Sequence, residues 1–382
     1  MSRSTTVGIL GGGQLAMMLA QAAERLELSV SVYEEDPGAP AFHTRASRVQ
    51  ASPRDSDRLR AWLEGLSVLT FENEFVDTSL LRECLPAGLR VFPSLAALDL
   101  VQDKLRQKVY LSELGFPVPA FREAPDAAAA EAFAAEQGWP LVLKERRHGY
   151  DGRGTYVLKD AEELRRFFAE RKSPDSLLAE AFVPFTMEIA VQVARNPRGQ
   201  VSCFPIVKTF QTNGVCHWAK APASLGPEEA EQITVLARRL MESLQAVGVF
   251  AVEMFCAPEG GILINELAPR VHNSGHYTIE GCRTSQFEQH LRAVTDADLG
   301  STELLHPGMA MINILGDFEG PYRLEGADRV SQNHPAILHW YHKKTSGRGR
   351  KLGHLTAWGS TSDEAMRHAL EARKELHLCP SE

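Results

Sequence analysis

The chain has 382 residues, 44% hydrophobic and 24% charged, with a formal net charge of −8. That length favours two or three domains with well-developed cores, and the acidic balance gives no support for binding to nucleic acid or a membrane surface. Six widely spaced cysteines (Cys84, Cys203, Cys216, Cys256, Cys282, Cys379) include no Cys-x-x-Cys pair, which argues for reduced core thiols and against a zinc ribbon or disulfide scaffold.

The opening MSRSTTVGILGGGQLAMM carries an apolar run too short and too broken by glycine for a signal peptide. No uninterrupted apolar run approaches bilayer-spanning length, so a cytoplasmic protein is expected. Up to about residue 100, strands and helices alternate: TVGIL is a buried strand, GGG a tight turn, QLAMMLAQAAERLEL an amphipathic helix, and SVSVYEE, VLTFENE and LRVF further strands. This alternation predicts a parallel α/β sheet. Its first turn matches a dinucleotide fingerprint, Gly11-x-Gly13-x-x-Ala16, with the acidic Glu34 further on. The motif predicts helix-start N–H groups facing an anion; it does not fix that anion as a nicotinamide cofactor.

The segment FPSLAALDLVQDKLRQKVYLSELGFPVPAF reads as one helix, Gly115 and a proline-punctuated extended piece, which suits a domain junction. DAAAAEAFAAEQG is a helix by propensity, ended by Gly138. The strands LVLKE, TYVLK, LLAEAFV, MEIAVQVAR and VSCFPIVKTF then predict an antiparallel sheet with helices packed on it, an α+β unit. After about residue 300 come GMAMINILG, AILHWYHKK and a closing helix, DEAMRHALEARKEL.

Four stretches carry chemistry. VFAVEMFCAPEGGILINEL reads as two strands joined by Pro258–Gly261. A symmetric loop would pair Ala257 with Ile262, Phe255 with Ile264 and Glu253 with Glu266. Opposed residues project from one face about 4.5–5.5 Å apart, so the two carboxylates would repel unless a cation lay between them. Mg²⁺ suits that demand, with Asn265 as a further oxygen donor; a register off by one would instead send one glutamate to solvent. The hairpin runs straight into Arg270, His272, Asn273, Ser274 and His276. Second, LVLKERRHGYDGRGTYVL holds Arg146, Arg147 and Arg153 among glycines, as a phosphate lid or a mobile surface hairpin would. Lys144 could reach the same phosphates, whereas Asp151 would repel them, which hints at an acid/base or amine-binding role. Third, LLAEAFVPFTME ends a strand at Glu180 with Glu188 eight residues later; such a connection can offer backbone groups to adenine and a carboxylate to ribose. Fourth, LHWYHKKTSGRGRKLGHL gathers lysines and arginines around glycines, as a solvated loop or a second phosphate site would.

GILGGGQLAMML, LTFENE, GYDGRGTY, LINELAPRVHNSGHYT and GRGRKLGH, in this order, resemble the 5-(carboxyamino)imidazole ribonucleotide synthases of the ATP-grasp superfamily, also called phosphoribosylaminoimidazole carboxylase ATPase subunits. The resemblance implies a Rossmann-like domain over residues 1–100, an ATP-grasp domain over 101–300 and a small β-rich C-terminal domain over 301–382. It implies a homodimer that joins bicarbonate to the amine of 5-aminoimidazole ribonucleotide in purine biosynthesis, using ATP and Mg²⁺ and passing through carboxyphosphate. Lys104 and Lys144 would then contact ATP phosphates, with the lid Gly149, Tyr150, Asp151, Gly152, Arg153, Gly154 and Thr155 closing over them. Glu180, Ala181, Phe182 and Val183 would hold adenine and Glu188 the ribose, with Gln211 nearby. Glu253 and Glu266, beside Asn265, would hold Mg²⁺. Arg270 would stabilise bicarbonate or carboxyphosphate, and Tyr150 and Asp151 would face the amine. Gln14, Glu72, Asn273, Arg350 and Lys351 would hold the ribonucleotide, the last two its 5′-phosphate. The Gly11–Ala16 turn would then wall that pocket.

The chain departs from the family pattern at Lys104, where arginine is expected, at Thr209 and Gln211, in place of asparagine and histidine, and at His148, in place of glycine. Competing readings are a formate-using glycinamide ribonucleotide transformylase, a nicotinamide-dependent dehydrogenase built on the Gly11 turn, and a non-catalytic nucleotide-binding regulator. The dehydrogenase leaves Glu253, Glu266 and both basic loops without a purpose, and a regulator would be expected to lack the metal carboxylates or Asp151.

Overall fold

The computed structural model describes residues 5–149, 152–173, 175–258 and 261–381. Strands β1 (Thr6–Leu10), β2 (Ser29–Glu34), β3 (Ser47–Gln50), β4 (Val68–Phe71) and β5 (Arg90–Val91) form a parallel sheet in the order β3-β2-β1-β4-β5. Helices α1 (Gln14–Arg25), α2 (Ser56–Leu63) and α3 (Thr78–Cys84) connect them. Val7 and Ile9 of β1 are fully buried, as expected of a central parallel strand covered on both faces.

The single helix expected after residue 92 is two, α4 (Leu95–Val101) and α5 (Lys104–Glu113). Asp103 interrupts it, its Oδ1 accepting from the Leu105 and Arg106 N–H groups at 3.1 and 3.3 Å. A side-chain cap offers the backbone an alternative to helix continuation. Gln102 secures the break by donating to the Glu74 and Val76 carbonyls, both at 2.8 Å.

A small antiparallel sheet, ordered β6-β9-β7-β8, follows from β6 (Phe121–Ala124), β7 (Leu141–Glu145), β8 (Thr155–Leu158) and β9 (Leu177–Ala181), with α6 (Ala127–Gln137) and α7 (Ala161–Glu170). The larger antiparallel sheet starts with β10 (Met187–Arg195), β11 (Val201–Cys203), β12 (Val207–Thr212), β13 (Val215–Ala221), β14 (Gly248–Cys256) and β15 (Ile262–Ala268). The expected strand VSCFPIVKTF is divided into β11 and β12 around Pro205, which has no N–H to give a ladder. Helices α8 (Pro227–Leu244), α9 (Thr278–Gly281) and α10 (Gln286–Val294) complete this unit.

Beyond residue 300 lie β16 (Gly308–Leu315), β17 (Gly320–Glu325), α11 (Ala327–Asn333), β18 (Ala336–Trp340), β19 (Thr345–Ser346), β20 (Lys351–Gly359), α12 (Ser362–Lys374) and β21 (His377–Pro380). β16 pairs with β13, so the sheet runs unbroken as β15-β14-β10-β12-β13-β16-β20-β18. The C-terminal segment is thereby fixed to the central sheet and carries the start of β20 towards the β14–β15 hairpin. All six cysteines are free, and among the described residues no helix is long and apolar enough to cross a membrane.

One core joins the first and central units: α1 buries Leu15, Met18 and Leu19 in a cluster that includes Phe287, Leu291 and Val294 of α10. His290, between them, is fully buried. Its Nε2 lies 2.7 Å from Thr70 Oγ1 of β4, and its Nδ1 accepts the Val249 N–H at 3.0 Å. Burial pushes this imidazole down to about 4. The folded state therefore keeps His290 neutral at pH values where the unfolded chain protonates it. Its contribution is complete above pH 6.5 and is lost as pH falls towards 4. We expect the slope of unfolding free energy against pH between 6 and 4.5 to be about 1.4 kcal/mol per unit shallower in His290→Gln; urea titrations at several pH values measure it, and an unchanged slope contradicts this role.

Candidate active site

The β14–β15 hairpin places Glu253 opposite Glu266, the expected pair, but the rest of the expected register is one residue out. Phe255 faces Leu263, Met254 faces Ile264 and Cys256 faces Ile262. A bulge absorbs the difference, with Asn265 as the extra residue. Bulges re-aim side chains and terminate pairing, and this one turns the end of β15 into a cluster of Asn265 and Glu266 against Glu253. On β10, Glu188 pairs with Phe255, two residues along from Glu253, so the two glutamates are diagonal neighbours on one face. Burial and then the charges of Glu188 and Glu266 push the Glu253 carboxyl up; burial raises Glu188 too, opposed by Lys144. Gln211 Nε2 donates to Glu188 Oε1 at 3.0 Å, and His272 Nε2 lies 3.6 Å from Glu253 Oε1.

Three lysines meet this acidic face. Lys104 Nζ pairs with Glu266. Lys144 Nζ reaches Asn265 Oδ1 at 3.0 Å and Glu180 Oε2 at 2.7 Å. Lys108 Nζ lies 3.2 Å from Glu180 Oε1 and donates to the Ile264 carbonyl at 3.1 Å. Burial alone would raise the Glu180 carboxyl, but Lys144 and Lys108 outweigh it and hold it at about 2. Burial lowers the Lys108 ammonium to about 8, with Glu180 opposing. Glu180 thus spends its side chain on lysines. Phe182 and Phe185 are exposed beside it, Phe185 stacked on Phe255 at 4.7 Å.

The lid grows from β7 and β8. Its base is bound to α5: the Lys104 N–H donates to the Arg146 carbonyl at 2.9 Å, and Arg146 clamps Asp103 with Nε and Nη2 at 3.1 and 2.7 Å. Gly152, at φ +74°, approaches the β12–β13 turn so closely that a Cβ there would meet the Asn213 carbonyl at 2.4 Å. A Cβ at Gly149 would lie 2.9 Å from the Arg153 carbonyl. Gly154, also at positive φ, and Thr155 lead into β8. Tyr150 and Asp151 lie outside the described residues. His148, where the resemblance led glycine to be expected, has φ +64°, with its ring 6.2 Å from Phe75.

The third wall joins the two ends of the chain. Unlike α2 to α7, α1 has no side-chain cap from its own N-cap residue, Gly13. The protein's carboxylates fill that place instead. Glu34 Oε2 accepts the Gly12 N–H at 2.7 Å, and the Glu72 carboxylate sits where a Gly13 Cβ would be. Burial pushes Glu72 up, opposed by Asn73, Arg270 and Lys343. Gln14 opens α1 beside them. Lys343 donates to the Lys351 carbonyl at 2.9 Å, and Arg350 Nη1 donates to Thr345 Oγ1 at 2.7 Å. Lys351 is close enough to lower the Glu253 carboxyl. A cavity of about 700 Å³, lined by Gly11, Glu34, Asn73, Phe75, Arg147 and His148 among others, opens on the far side of the Gly11 turn; the metal-type carboxylates are not part of its lining.

Two more expected binding side chains, Arg270 and Asn273, are held by partners from distant segments. Arg270 grips Glu74 through Nε and Nη2, the latter at 3.0 Å, so it stands as an oriented cation, not a bare one. Asn273 exchanges two amide hydrogen bonds with Asn313, at 2.9 and 2.7 Å, and serves the β16 contact. Sequence reading missed the roles of Lys108, His272 and Lys343. Lys108 was detectable, because it follows Lys104 by four residues on one helix face; the other two depend on packing between distant segments.

Matches to known protein families cover the chain in three consecutive parts: a ribonucleotide synthetase preATP-grasp domain over residues 4–102, an ATP-grasp domain over 109–287, and a phosphoribosylaminoimidazole carboxylase C-terminal domain over 309–368. The chain is 43% identical to the N5-carboxyaminoimidazole ribonucleotide synthase of Synechococcus elongatus, over 95% of this chain and 92% of that one. The crystal structure of the Thermotoga maritima synthetase superposes with a TM-score of 0.88 at 35% identity, covering 99% of this chain and 100% of that one. The Aspergillus clavatus synthase, solved with ADP and 5-aminoimidazole ribonucleotide, gives 0.89 at 33% identity, covering 98% and 99%.

Asp103 is both helix cap and anchor of the lid. Asp103→Ala should therefore destabilise the protein by about 2–4 kcal/mol, a cap of roughly 1 plus the charge-assisted bonds to Arg146, while Asp103→Asn keeps the cap and loses less. Urea denaturation of both variants checks this, and equal losses would contradict the separate contribution of the cap.

Proposed function

The chain belongs to the N5-carboxyaminoimidazole ribonucleotide synthase family of ATP-grasp ligases, and from that premise we propose how its residues share the ATP-dependent carboxylation of 5-aminoimidazole ribonucleotide in purine biosynthesis. The observation that carries the division of labour is the facing pair Glu253 and Glu266, with Lys104 and Lys144 beside it under the glycine lid. Bicarbonate is the carboxyl source: its oxygen takes the γ-phosphoryl group of ATP, releasing ADP and forming carboxyphosphate, and the amine of the ribonucleotide then takes up the carboxyl group as inorganic phosphate leaves.

The residues fit a divalent cation. Among the described residues no three metal-type side chains form a ready shell, but two carboxylates that repel each other in a buried setting are the protein share that Mg²⁺ uses when phosphates and water complete its coordination. Glu253 and Glu266 would hold it, with Asn265 close by, and it would supply neutralisation of charge on the transferring phosphoryl group. Lys104, now on Glu266, and Lys144, now on Glu180 and Asn265, turn to the ATP phosphates. The lid closes over them and excludes water from a carboxyphosphate that water would destroy. Adenine rests against Ala181–Val183 beside Phe182, and Glu188, oriented by Gln211, takes the ribose.

Arg270, fixed by Glu74, offers a preorganised cation to bicarbonate and carboxyphosphate, an arrangement that costs no reorganisation when charge develops. Tyr150 and Asp151 face the amine, Asp151 accepting its proton as the N–C bond forms. Gln14 and Glu72 bind the ribonucleotide from the α1 side, and Arg350 and Lys351 bind its 5′-phosphate. Asn273 supports this wall through Asn313. The glycine turn, its Gly12 N–H already bound to Glu34 and its Gly13 packed against Glu72, serves this pocket and no nicotinamide. The protein works in the cytoplasm, as a homodimer.

The direct test is ADP release with Mg-ATP and bicarbonate, with and without 5-aminoimidazole ribonucleotide. Strong stimulation by the ribonucleotide is expected; ATP binding with no stimulation would reopen the acceptor. Glu266→Ala should abolish ATP cleavage, and turnover equal to wild type would remove Glu266 from the metal site. Asp151→Ala should bind nucleotide normally and release ADP with little carboxylated product, so a parallel loss of both activities would place Asp151 in nucleotide binding.

A further inference from the structure

Lys108 is assigned no part in the reaction, yet it is an ammonium buried beneath the nucleotide site with only 2% of its side chain exposed. It joins three elements of the site: α5, which carries it, the Glu180 end of β9, and the Ile264 carbonyl beside the β15 bulge. Glu180 lies between Lys108 and Lys144, each of its oxygens facing one ammonium, at 3.2 and 2.7 Å. Two ammoniums and one carboxylate leave the group a net charge of +1. Without Lys108 the same group would be a neutral pair, and Lys144 could approach a phosphate only by leaving Glu180 as a buried, unpaired carboxylate. Removing one partner from a buried ion group is costly for that reason.

We propose that Lys108 is a positioning residue for nucleotide binding: it holds the charge of Glu180 so that Lys144 is free to turn from Glu180 to the ATP phosphates. Lys108 touches no substrate; it acts through Glu180. This rests on the reading of Lys144 as a phosphate contact, and it adds the group that makes that movement possible.

The test compares ATP and 5-aminoimidazole ribonucleotide KM values in Lys108→Met, Glu180→Gln, the double variant and Lys144→Met. Lys108→Met should raise the ATP KM by about tenfold, as coupled buried charges do, with the ribonucleotide KM within about twofold of wild type. In the Glu180→Gln background, where no carboxylate needs a counter-charge, the same Lys108→Met change should cost less than about threefold. An equal loss in both backgrounds would make Lys108 a general support of the fold and overturn the proposal, as would an unchanged ATP KM in Lys108→Met. If Lys108→Met does not fold, the comparison of Glu180→Gln with the double variant decides alone, because a structural lysine is needed in both. An unchanged ATP KM in Lys144→Met would instead remove Lys144 from the phosphates, a separate failure.

Discussion

Two carboxylates facing each other across an antiparallel pair, in surroundings that exclude most water, form the constraint around which this protein is built. The buried Glu253 keeps its charge there only with a cation close by, and Glu188 on the next strand adds to the demand. The protein's own lysines meet that demand. Lys104 pairs with Glu266, and Lys144 takes Asn265 and Glu180. Under the proposed function, Lys104 turning to a phosphate would leave Glu266 to an incoming metal, and Lys144 would leave Glu180 to Lys108. Binding would then be an exchange of partners.

The architecture brings the other groups to that point. β16 continues the central sheet into the C-terminal segment, so the start of β20 reaches the carboxylates as part of the same sheet. The shared core of α1 and α10 fixes the glycine turn against the central unit. At that turn, Glu34 takes the Gly12 N–H and Glu72 packs against Gly13, the place that a dinucleotide phosphate would otherwise occupy. The protein's own carboxylates fill it, which is why the glycine fingerprint alone could not identify the cofactor.

The α/β character of the first unit and the antiparallel sheet were legible from strand alternation and turn residues, because those signals are local; the Glu253–Glu266 pairing came out as expected only because a bulge offsets a register that is one residue out. The bulge at Asn265 was not: it is stabilised by Pro117, whose carbonyl accepts the Ile264 N–H, and by Gln107, whose side chain accepts the Leu267 N–H. Both partners are more than a hundred residues away in sequence. The helix break at Asp103 could have been read, since an aspartate followed by Lys-Leu-Arg is an ordinary N-cap; the apolar spacing across it hid the signal. Arg270 and Asn273 were recognised as important side chains, but their partners Glu74 and Asn313 come from other units of the chain and no spacing rule connects them.

The most direct measurement is equilibrium binding of ADP to the wild-type protein by calorimetry, once with Mg²⁺ and once with EDTA. If the facing carboxylates are completed by a metal–nucleotide complex, ADP binds at least about tenfold more tightly with Mg²⁺, a difference of roughly 1.4 kcal/mol. Equal affinity in the two conditions would mean that lysines alone satisfy Glu253 and Glu266, and that the pair is not a metal site.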